Sequence, residues 1–321
     1  MSTRTAALPR RRTRPGIRAV LATGVVLALA PACANPDDAG TAASASAAGQ
    51  AGAQVSVKRD PALYAMVPDS YKKAGRIQVA TNAPFPPFEM FAAEKKLTGL
   101  EIDLGHALGK RLGVPFEFSQ QPFDGLLPGL QAKKYDVLMA GLFDTKEREK
   151  TVDFVDYARS GSAILVVKGN PGGIKTLSDL CGRTAAAQTG AQQVALLNKR
   201  SRTCKAAGKQ AVTVKTFPQF SDALLAIKTG KADTILGDLP ALRYSAQKDD
   251  SVEVLTDPAA PNGYDAVPMG IGLPKDQPVL REAVRRALAG LIKDGTYGKI
   301  LDAYGAGHIA VSAPSVNKAE D

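Results

Sequence analysis

The 321-residue sequence is poor in histidine, a residue common in metal sites and catalytic triads. It has two histidines, His106 and His308, which lie far apart in the chain. Two distant histidines do not make a convincing metal site or triad. The sequence also lacks a Gly-x-Ser-x-Gly elbow, a His-Glu-x-x-His helix and a phosphate-binding loop. We therefore predict no catalytic residue, no metal ligand and no cofactor.

A broad basic surface is also absent, although the net charge is +10. Six arginines lie before residue 33, in a stretch without any acidic residue: Arg4, Arg10, Arg11, Arg12, Arg14 and Arg18. The other 35 basic residues face 31 acidic ones, which leaves +4 for the rest of the chain. These charges are scattered and form no basic stripe interleaved with aromatic residues. The pattern therefore excludes nucleic acid as the expected partner.

Only one hydrophobic run stands out, and it follows the arginines. Residues 19–30 have the length of a signal-peptide core and are too few to span a bilayer comfortably. The next residues, Pro31-Ala32-Cys33, resemble a bacterial lipoprotein cleavage site, although Ala30 stands where leucine is usual. We predict a signal peptide at 1–32 and favour lipidation of Cys33 over an ordinary secretory signal in which Cys33 is incidental. Residues 33–57 would then tether the protein to the outer face of the cell membrane.

The remaining two cysteines are Cys181 and Cys204. Because an extracytoplasmic compartment is oxidising, we expect them to form a structural disulfide. A metal or redox site is the weaker alternative, since the spacing is not Cys-x-x-Cys and no histidine lies near.

Two segments of the chain share one pattern. Residues 124–140 and 222–238 each contain an acidic residue, an apolar stripe at helical spacing, a break and a short apolar run. Each segment therefore predicts a helix that leads into a strand. Two such units about a hundred residues apart predict an α/β protein with two similar lobes. Lobes of this kind bind ligands where their strand ends meet.

Periodicity predicts further elements along the chain. We expect strands at 76–81, 164–167, 184–187 and 268–274, and helices at 100–112 and 280–292. Residues 308–321 show no such pattern and are expected to form a loose tail.

Four segments, in this order, resemble motifs of the family 3 extracellular solute-binding proteins, the amino-acid receptors of ABC importers. They are residues 82–88, 99–104, 144–150 and 293–297, and the resemblance runs from about Gly75 to Gly305. It implies a type II periplasmic-binding-protein fold, in which two α/β lobes joined by two crossing strands close on one amino acid. The implied ranges are 58–161 plus 257–306 for lobe 1, 162–256 for lobe 2 and 307–321 for a C-terminal tail.

The resemblance implies charged ligand contacts. Arg148 matches the family's carboxylate-binding arginine, and a guanidinium can grip a carboxylate in a bidentate fork where lysine cannot. The alternative is that the charged run 146–150 is only a solvated helix start. Asp238 matches the ammonium-binding acid, with a turn aspartate before Pro240 as the alternative. Gly190 and Gln192 match a helix start whose N–H groups hold the carboxylate.

Uncharged positions complete the implied site. Phe85 and Phe123 match two rings that sandwich the ligand side chain, although core packing is the alternative for any phenylalanine. Asn82 aligns with a position that is acidic in binders of basic amino acids, which favours a neutral or other polar ligand here.

One position departs from the family. Phe143 stands where serine or threonine is usual, so an ammonium-binding hydroxyl is lost. Asp238 and the carbonyl groups of Ala140 or Gly141 would then hold the ammonium group alone. Phe143 would either narrow the pocket or point into the core.

The implied function is that of a monomeric substrate-binding component of an ABC-type amino-acid importer, which works with a membrane permease and is not an enzyme. Two alternatives stay open. Some proteins of this fold are dehydratases or cell-wall lytic enzymes, and a ligand-sensing lipoprotein would have the same sequence features.

Overall fold

The computed structural model describes residues 52–53 and 55–320. The predicted signal peptide and the Cys33 lipidation site lie outside these residues. Within the described part of the chain, no helix has the length and apolar character needed to cross a bilayer.

Helices and strands alternate along most of the described chain. The strands are β1 Ile77–Thr81, β2 Met90–Phe91, β3 Leu97–Thr98, β4 Phe116–Gln120, β5 Val137–Leu138, β6 Val152–Val167, β7 Thr184–Gln188, β8 Thr213–Phe217, β9 Thr234–Asp238, β10 Val252–Leu255, β11 Tyr264–Pro274 and β12 Ala310–Val316. The α-helices are α1 Pro61–Met66, α2 Asp69–Ala74, α3 Leu100–Leu112, α4 Leu126–Gln131, α5 Lys146–Glu149, α6 Gln192–Ala206, α7 Phe220–Lys228, α8 Leu239–Lys248, α9 Pro278–Lys293 and α10 Thr296–Ala303. Short 3₁₀ turns lie at Ala93–Lys95, Phe123–Gly125, Leu177–Leu180 and Gly307–Ile309.

One mixed sheet organises the protein. Its strand order is β4-β1-β5-β11-β6-β9-β7-β8, and β10 and β12 also pair with β6. The strands β1, β4 and β5 are parallel to one another, as are β7, β8 and β9. We call the half with β1, β4 and β5 the first lobe and the half with β7, β8 and β9 the second lobe. The antiparallel pair β6 and β11 lies between them, as expected for two lobes joined by two crossing strands.

The core lies between the sheet and the helices that cover it. All five residues of β9 are buried, as are most residues of β6. Strands buried on both faces are typical of sheets with helices on each side. In the first lobe α3 packs beside α9, and the apolar stripe predicted for residues 100–112 is buried there: Leu100, Ile102, Leu104, Leu108 and Leu112.

The parallel strands bring three loops and the start of one helix together. The first-lobe strands β1 and β5 lead into residues 82–88 and 139–145, and the second-lobe strands β7 and β9 lead into residues 189–191 and α8. In an α/β sheet, binding sites form outside the carboxyl ends of such strands. Both copies of the repeated pattern end at this edge, because their strands are β5 and β9.

Cys181 and Cys204 form the expected disulfide in the second lobe, with a Cα–Cα distance of 5.5 Å. It links the turn before β7 to α6, and the loop it closes spans 23 residues. Restriction of the unfolded chain by a loop of this size adds about 3 kcal/mol to the free energy of unfolding.

Both ends of the folded part differ from expectation. Residues 310–316, expected within a loose tail, form β12, which pairs antiparallel with β6. Polar side chains and backbone groups anchor this segment, so apolar periodicity did not reveal it. At the other end, Val55 and Val57 of the expected linker pack against the core, so the fold begins before residue 58.

The lobe boundaries at 161/162 and 256/257 stay predictions, and the first falls inside β6.

Candidate ligand-binding site

Arg148 lies on the short helix α5 between β5 and β6. Thr145 caps this helix by accepting a hydrogen bond from the backbone N–H of Arg148. The side chain is 9% exposed, and its Nη1 donates to the Phe143 carbonyl at 2.7 Å. Burial lowers the pKa of Arg148 to about 10, against the opposing effect of Asp238 and Asp144. The guanidinium therefore remains charged at neutral pH, as predicted for a carboxylate-binding group.

Asp238 closes β9 and precedes α8, so it comes from the opposite lobe. It is 5% exposed, and its Oδ1 accepts a hydrogen bond from Gln193 Nε2 at 2.5 Å. Burial raises the pKa of Asp238 to about 7, although the Gln193 bond and the charge of Arg148 both act to lower it. The buried guanidinium of Arg148 and the buried carboxyl group of Asp238 are thus within electrostatic reach of each other.

Two hydrogen bonds cross between the lobes at this place. Arg148 Nη2 donates to the Gly190 carbonyl at 3.2 Å. Gln188 Nε2 donates to Asn82 Oδ1 at 2.9 Å, and Asn82 Nδ2 donates to the Gln121 carbonyl. Asn82 is therefore part of an uncharged amide pair that joins the ends of β1 and β7.

Phenylalanine rings form the apolar wall of the site. The Phe85 ring stacks on Phe88 with centroids 5.6 Å apart and meets the edge of Phe220 at 5.2 Å. Gly141 packs directly against Phe85, because a Cβ atom at Gly141 would lie 2.6 Å from that ring. With a φ of +60° as well, position 141 strongly favours glycine.

Phe143 combines both roles that the sequence left open. Its side chain is 2% exposed and belongs to the main hydrophobic core, and it also lines the cavity described next. Its backbone carbonyl accepts the Arg148 bond, so the residue supports the guanidinium without a hydroxyl group.

These groups surround a narrow cavity of about 20 Å³ between the lobes. Seven predicted site residues line it: Phe85, Phe123, Gly141, Phe143, Arg148, Gln192 and Asp238. Asn82, Ala140 and Gly190 do not line it. They lie directly behind it, since Asn82 and Gly190 bond to lining residues and the buried Ala140 precedes Gly141. The structure thus brings all ten residues to one place, while their roles in binding remain predictions.

Seven further residues line the cavity and were not among the predicted site residues: Gln188, Ala191, Gln193, Phe220, Ile235, Leu236 and Gly237. Gln188 extends the strand predicted at 184–187 by one residue, and Gln193 follows the predicted Gln192. For Phe220 a signal existed, because a phenylalanine lies within two residues of the acidic start of each repeat copy: Phe123 before Asp124, and Phe220 before Asp222.

A buried acidic cluster lies behind Gly141. Glu101 Oε2 accepts a hydrogen bond from the Gly141 N–H at 2.9 Å, and Glu101 Oε1 accepts one from the Tyr157 hydroxyl at 2.6 Å. Glu89 is fully buried beside it, and burial together with the charge of Glu101 raises the pKa of Glu89 well above its usual range. Across residues 52–53 and 55–320, no group of histidine, cysteine, aspartate and glutamate is arranged to hold a metal ion.

The family assignment agrees with this geometry. The family model for the bacterial extracellular solute-binding proteins, family 3, matches residues 77–307. The chain belongs to this family. The match includes every residue that lines the cavity.

Individual relatives of this solute-binding protein cover most of its folded part. The arginine-binding protein ArgT of Corynebacterium glutamicum is 30% identical over 76% of this chain and 79% of its own. The structure of an ancestral arginine-binding protein bound to glutamine is similar, with 36% identity, a TM-score of 0.65 and coverage of 72% of this chain and 98% of that one. An ancestral amino acid-binding protein described as a precursor of cyclohexadienyl dehydratase is 32% identical, with a TM-score of 0.66 and coverage of 74% and 98%.

The raised pKa of Asp238 predicts a pH-dependent stability of the ligand-free protein. Between pH 4 and pH 7 the native state holds a proton that the unfolded state has released, so the free energy of unfolding should fall as pH rises through this range. The Asp238→Asn variant keeps an acceptor for Gln193 but cannot titrate. We expect the decline from pH 4.5 to pH 7.5 to be smaller in this variant by at least about 1 kcal/mol, measured by urea denaturation.

The exposed Asp222 provides the matched control. Asp222→Asn should leave the decline as it is in the wild type. Equal slopes for the wild type and Asp238→Asn would show that burial does not shift Asp238.

Proposed function

We propose that this protein is the extracytoplasmic receptor of an ABC importer and binds one amino acid between its lobes. The observation that carries the proposal is a buried guanidinium, Arg148, and a buried carboxyl group, Asp238, which reach one cavity from opposite lobes. An amino acid carries the complementary pair, an α-carboxylate and an α-ammonium group. Burial of such a zwitterion needs a partner for each charge.

Each partner has a defined task in this proposal. Arg148 offers two N–H groups in a fork to the carboxylate. The start of α6 adds backbone N–H groups, since its N-cap residue Ala191 has no side chain that could cap them. Asp238 accepts from the ammonium group. Binding would draw Arg148 away from the Gly190 carbonyl, so the ligand takes over a contact that otherwise joins the lobes directly.

We infer a neutral, polar ligand side chain. Among the described residues that line the cavity, Arg148 and Asp238 are the only two with a charged side chain, and both are assigned to the ligand's α-groups. The rest of the lining consists of phenylalanine, glutamine and small or aliphatic residues. Glutamine amides can donate to and accept from a polar side chain, and the rings can cover its aliphatic part.

The proposal also covers the partners of the protein and its location in the cell. The amino acid passes to a membrane permease, the receptor acts as a monomer without turnover, and Cys33 carries a lipid that anchors it to the outer face of the cell membrane. Support comes from the family match, whose members are extracellular solute-binding proteins, and from the sequence around Cys33.

The lipid anchor has a direct test. Wild-type protein expressed in its native host should partition with membranes and carry an acyl mass on its N-terminal cysteine, measured by mass spectrometry. The Cys33→Ala variant should lose both properties. A wild-type N-terminus without lipid would refute the anchor and leave the binding function untouched.

A thermal-shift screen against the twenty amino acids, followed by calorimetry, tests the binding function. At least one neutral polar amino acid should raise the melting temperature by mass action, and none should be consumed. The Arg148→Lys variant keeps the charge but loses the fork, so its Kd should rise at least about tenfold.

The outcomes separate the alternatives. If no amino acid shifts the melting temperature, or if Arg148→Lys and Asp238→Ala bind as the wild type does, the proposed site is wrong. Chemical conversion of a bound amino acid would indicate an enzyme on this fold.

Asn82 gives a test of ligand class. The Asn82→Asp variant places a carboxylate beside Gln188, behind the cavity wall. A negative charge at this place favours a cationic ligand side chain, so the affinity for arginine relative to glutamine should increase about tenfold. Calorimetric titration of both ligands into the wild type and the variant measures the ratio. An unchanged ratio of the two affinities would show that residue 82 does not affect which ligand side chain is preferred.

A further inference from the structure

The C-terminal residues 310–320, which we call the C-terminal strap, lie beyond the family match at 77–307. Their strand part pairs with the first-lobe half of β6, where Ala310 lies opposite Ala158 and Val316 opposite Val155. The pairing is irregular between Ala310 and Ser315. The strap therefore adds an element to the fold next to the helix that carries Arg148.

Consecutive backbone groups of the strap bond to carboxylates on both sides of Arg148. The Lys318 N–H donates to Asp144 Oδ2 at 2.9 Å, and the Ala319 N–H donates to Glu149 Oε1 at 2.9 Å. Asp144 precedes the four-residue helix α5, and Glu149 is its last residue. Glu149 is thus partly buried and bonded.

The strap is itself held firmly to β6. Asn317 Oδ1 accepts from the Phe154 N–H at 2.8 Å, and Asn317 Nδ2 donates to Asp153. Ser315 Oγ donates to Asp156 Oδ2 at 2.6 Å. At its end, Glu320 pairs with Arg159 through both carboxylate oxygens. The Asn317 and Ser315 contacts give the two donor groups at 318 and 319 a fixed position relative to β6, whereas the Glu320–Arg159 pair is exposed and adds little.

The acids on the strap's inner side are buried. Asp144 is fully buried and Asp156 nearly so. Burial and the charges of Asp156 and Glu149 raise the pKa of Asp144 to about 8. Asp144 is also close enough to raise the pKa of Arg148. The strap thus donates a hydrogen bond to Asp144, an acidic group that acts electrostatically on Arg148.

We propose that the C-terminal strap positions Arg148 for ligand binding by holding Asp144 and Glu149 at the two ends of its helix. A four-residue helix forms too few internal hydrogen bonds to be stable alone. Its orientation must come from its neighbours, and the strap provides two of them. Residues outside the family match would therefore contribute to ligand affinity, a conclusion that rests on the proposed role of Arg148.

Position 149 allows a matched pair of variants. Glu149→Gln keeps an acceptor for the Ala319 N–H, whereas Glu149→Ala removes it. In the otherwise complete protein, Glu149→Ala should raise the Kd for the best amino acid from the screen about fivefold or more, and Glu149→Gln should stay within about twofold. Equal losses in both variants would mean that the charge of Glu149 matters and the strap contact does not.

A double-mutant cycle links the effect to the strap. Deletion of Ala319–Asp321 removes the donor from the other side, so combining it with Glu149→Ala should weaken binding no further than the worse single change, within about twofold. Glu320→Ala controls for the lost ion pair with Arg159 and should bind as the wild type does. Multiplied effects in the double variant would overturn the proposal.

Hydrogen exchange of residues 142–151, read by mass spectrometry without ligand, makes the test independent of the ligand. Exchange should be faster in Glu149→Ala and in the deletion variant, and unchanged in Glu320→Ala. Unchanged exchange in the first two would refute the strap's hold on α5. Faster exchange together with a wild-type Kd would refute the proposal that the strap positions Arg148 for ligand binding. Faster exchange in a protein whose wild type binds no amino acid would refute the proposed function and the strap's part in it.

Discussion

Two opposite charges buried at one cavity are the constraint on which the rest of the site depends. Burial lowers the pKa of Arg148 and raises that of Asp238, so each charged form is costly by itself, and each charge offsets part of the cost of the other. Neutral groups supply the remaining hydrogen bonds: the carbonyls of Phe143 and Gly190 for the guanidinium, and the Gln193 amide for the carboxylate. A bound zwitterion would satisfy both groups at once, which a ligand without formal charges cannot do.

Strand β6 links the segments of the chain that carry Arg148 and Asp238. Arg148 lies four residues before β6 begins at Val152, and Ser162 near its middle pairs with Asp238 and accepts a hydrogen bond from Gln193. The same strand pairs with β9, β10, β11 and β12, so elements of both lobes are fastened to it. Any rotation of one lobe about β6 and β11 must therefore change the distance between Arg148 and Asp238. Closure and charge pairing are one motion in such an arrangement.

The sequence predicted features that depend on local pattern or on a family motif, and it missed those created by distant contacts. The repeated pattern predicted the strands β5 and β9, and the family motifs led to Arg148 and Asp238. Strand β12 was not predicted, because Ala310–Val316 contains small residues and a proline, and its partner β6 lies about 150 residues earlier in the chain. Gln188 and Gln193 were not predicted as site residues, because a glutamine near a helix start or strand end is common. Only the fold shows that these two side chains face a cavity.

The surroundings of the cavity suggest how one scaffold can serve different ligands. Behind Gly141 lie Glu101 and the fully buried Glu89, whose pKa is raised well above its usual range by burial and by Glu101. The raised pKa favours the uncharged form of Glu89, whereas the charge of Glu101 acts on Asp238 and helps to raise its pKa. Ionising one such carboxyl, or replacing one amide in the lining by an acid, would change the preferred ligand charge without moving a strand. Ligand choice can therefore change through a single proton or side chain, whereas the strands and the two α-group contacts must stay in place.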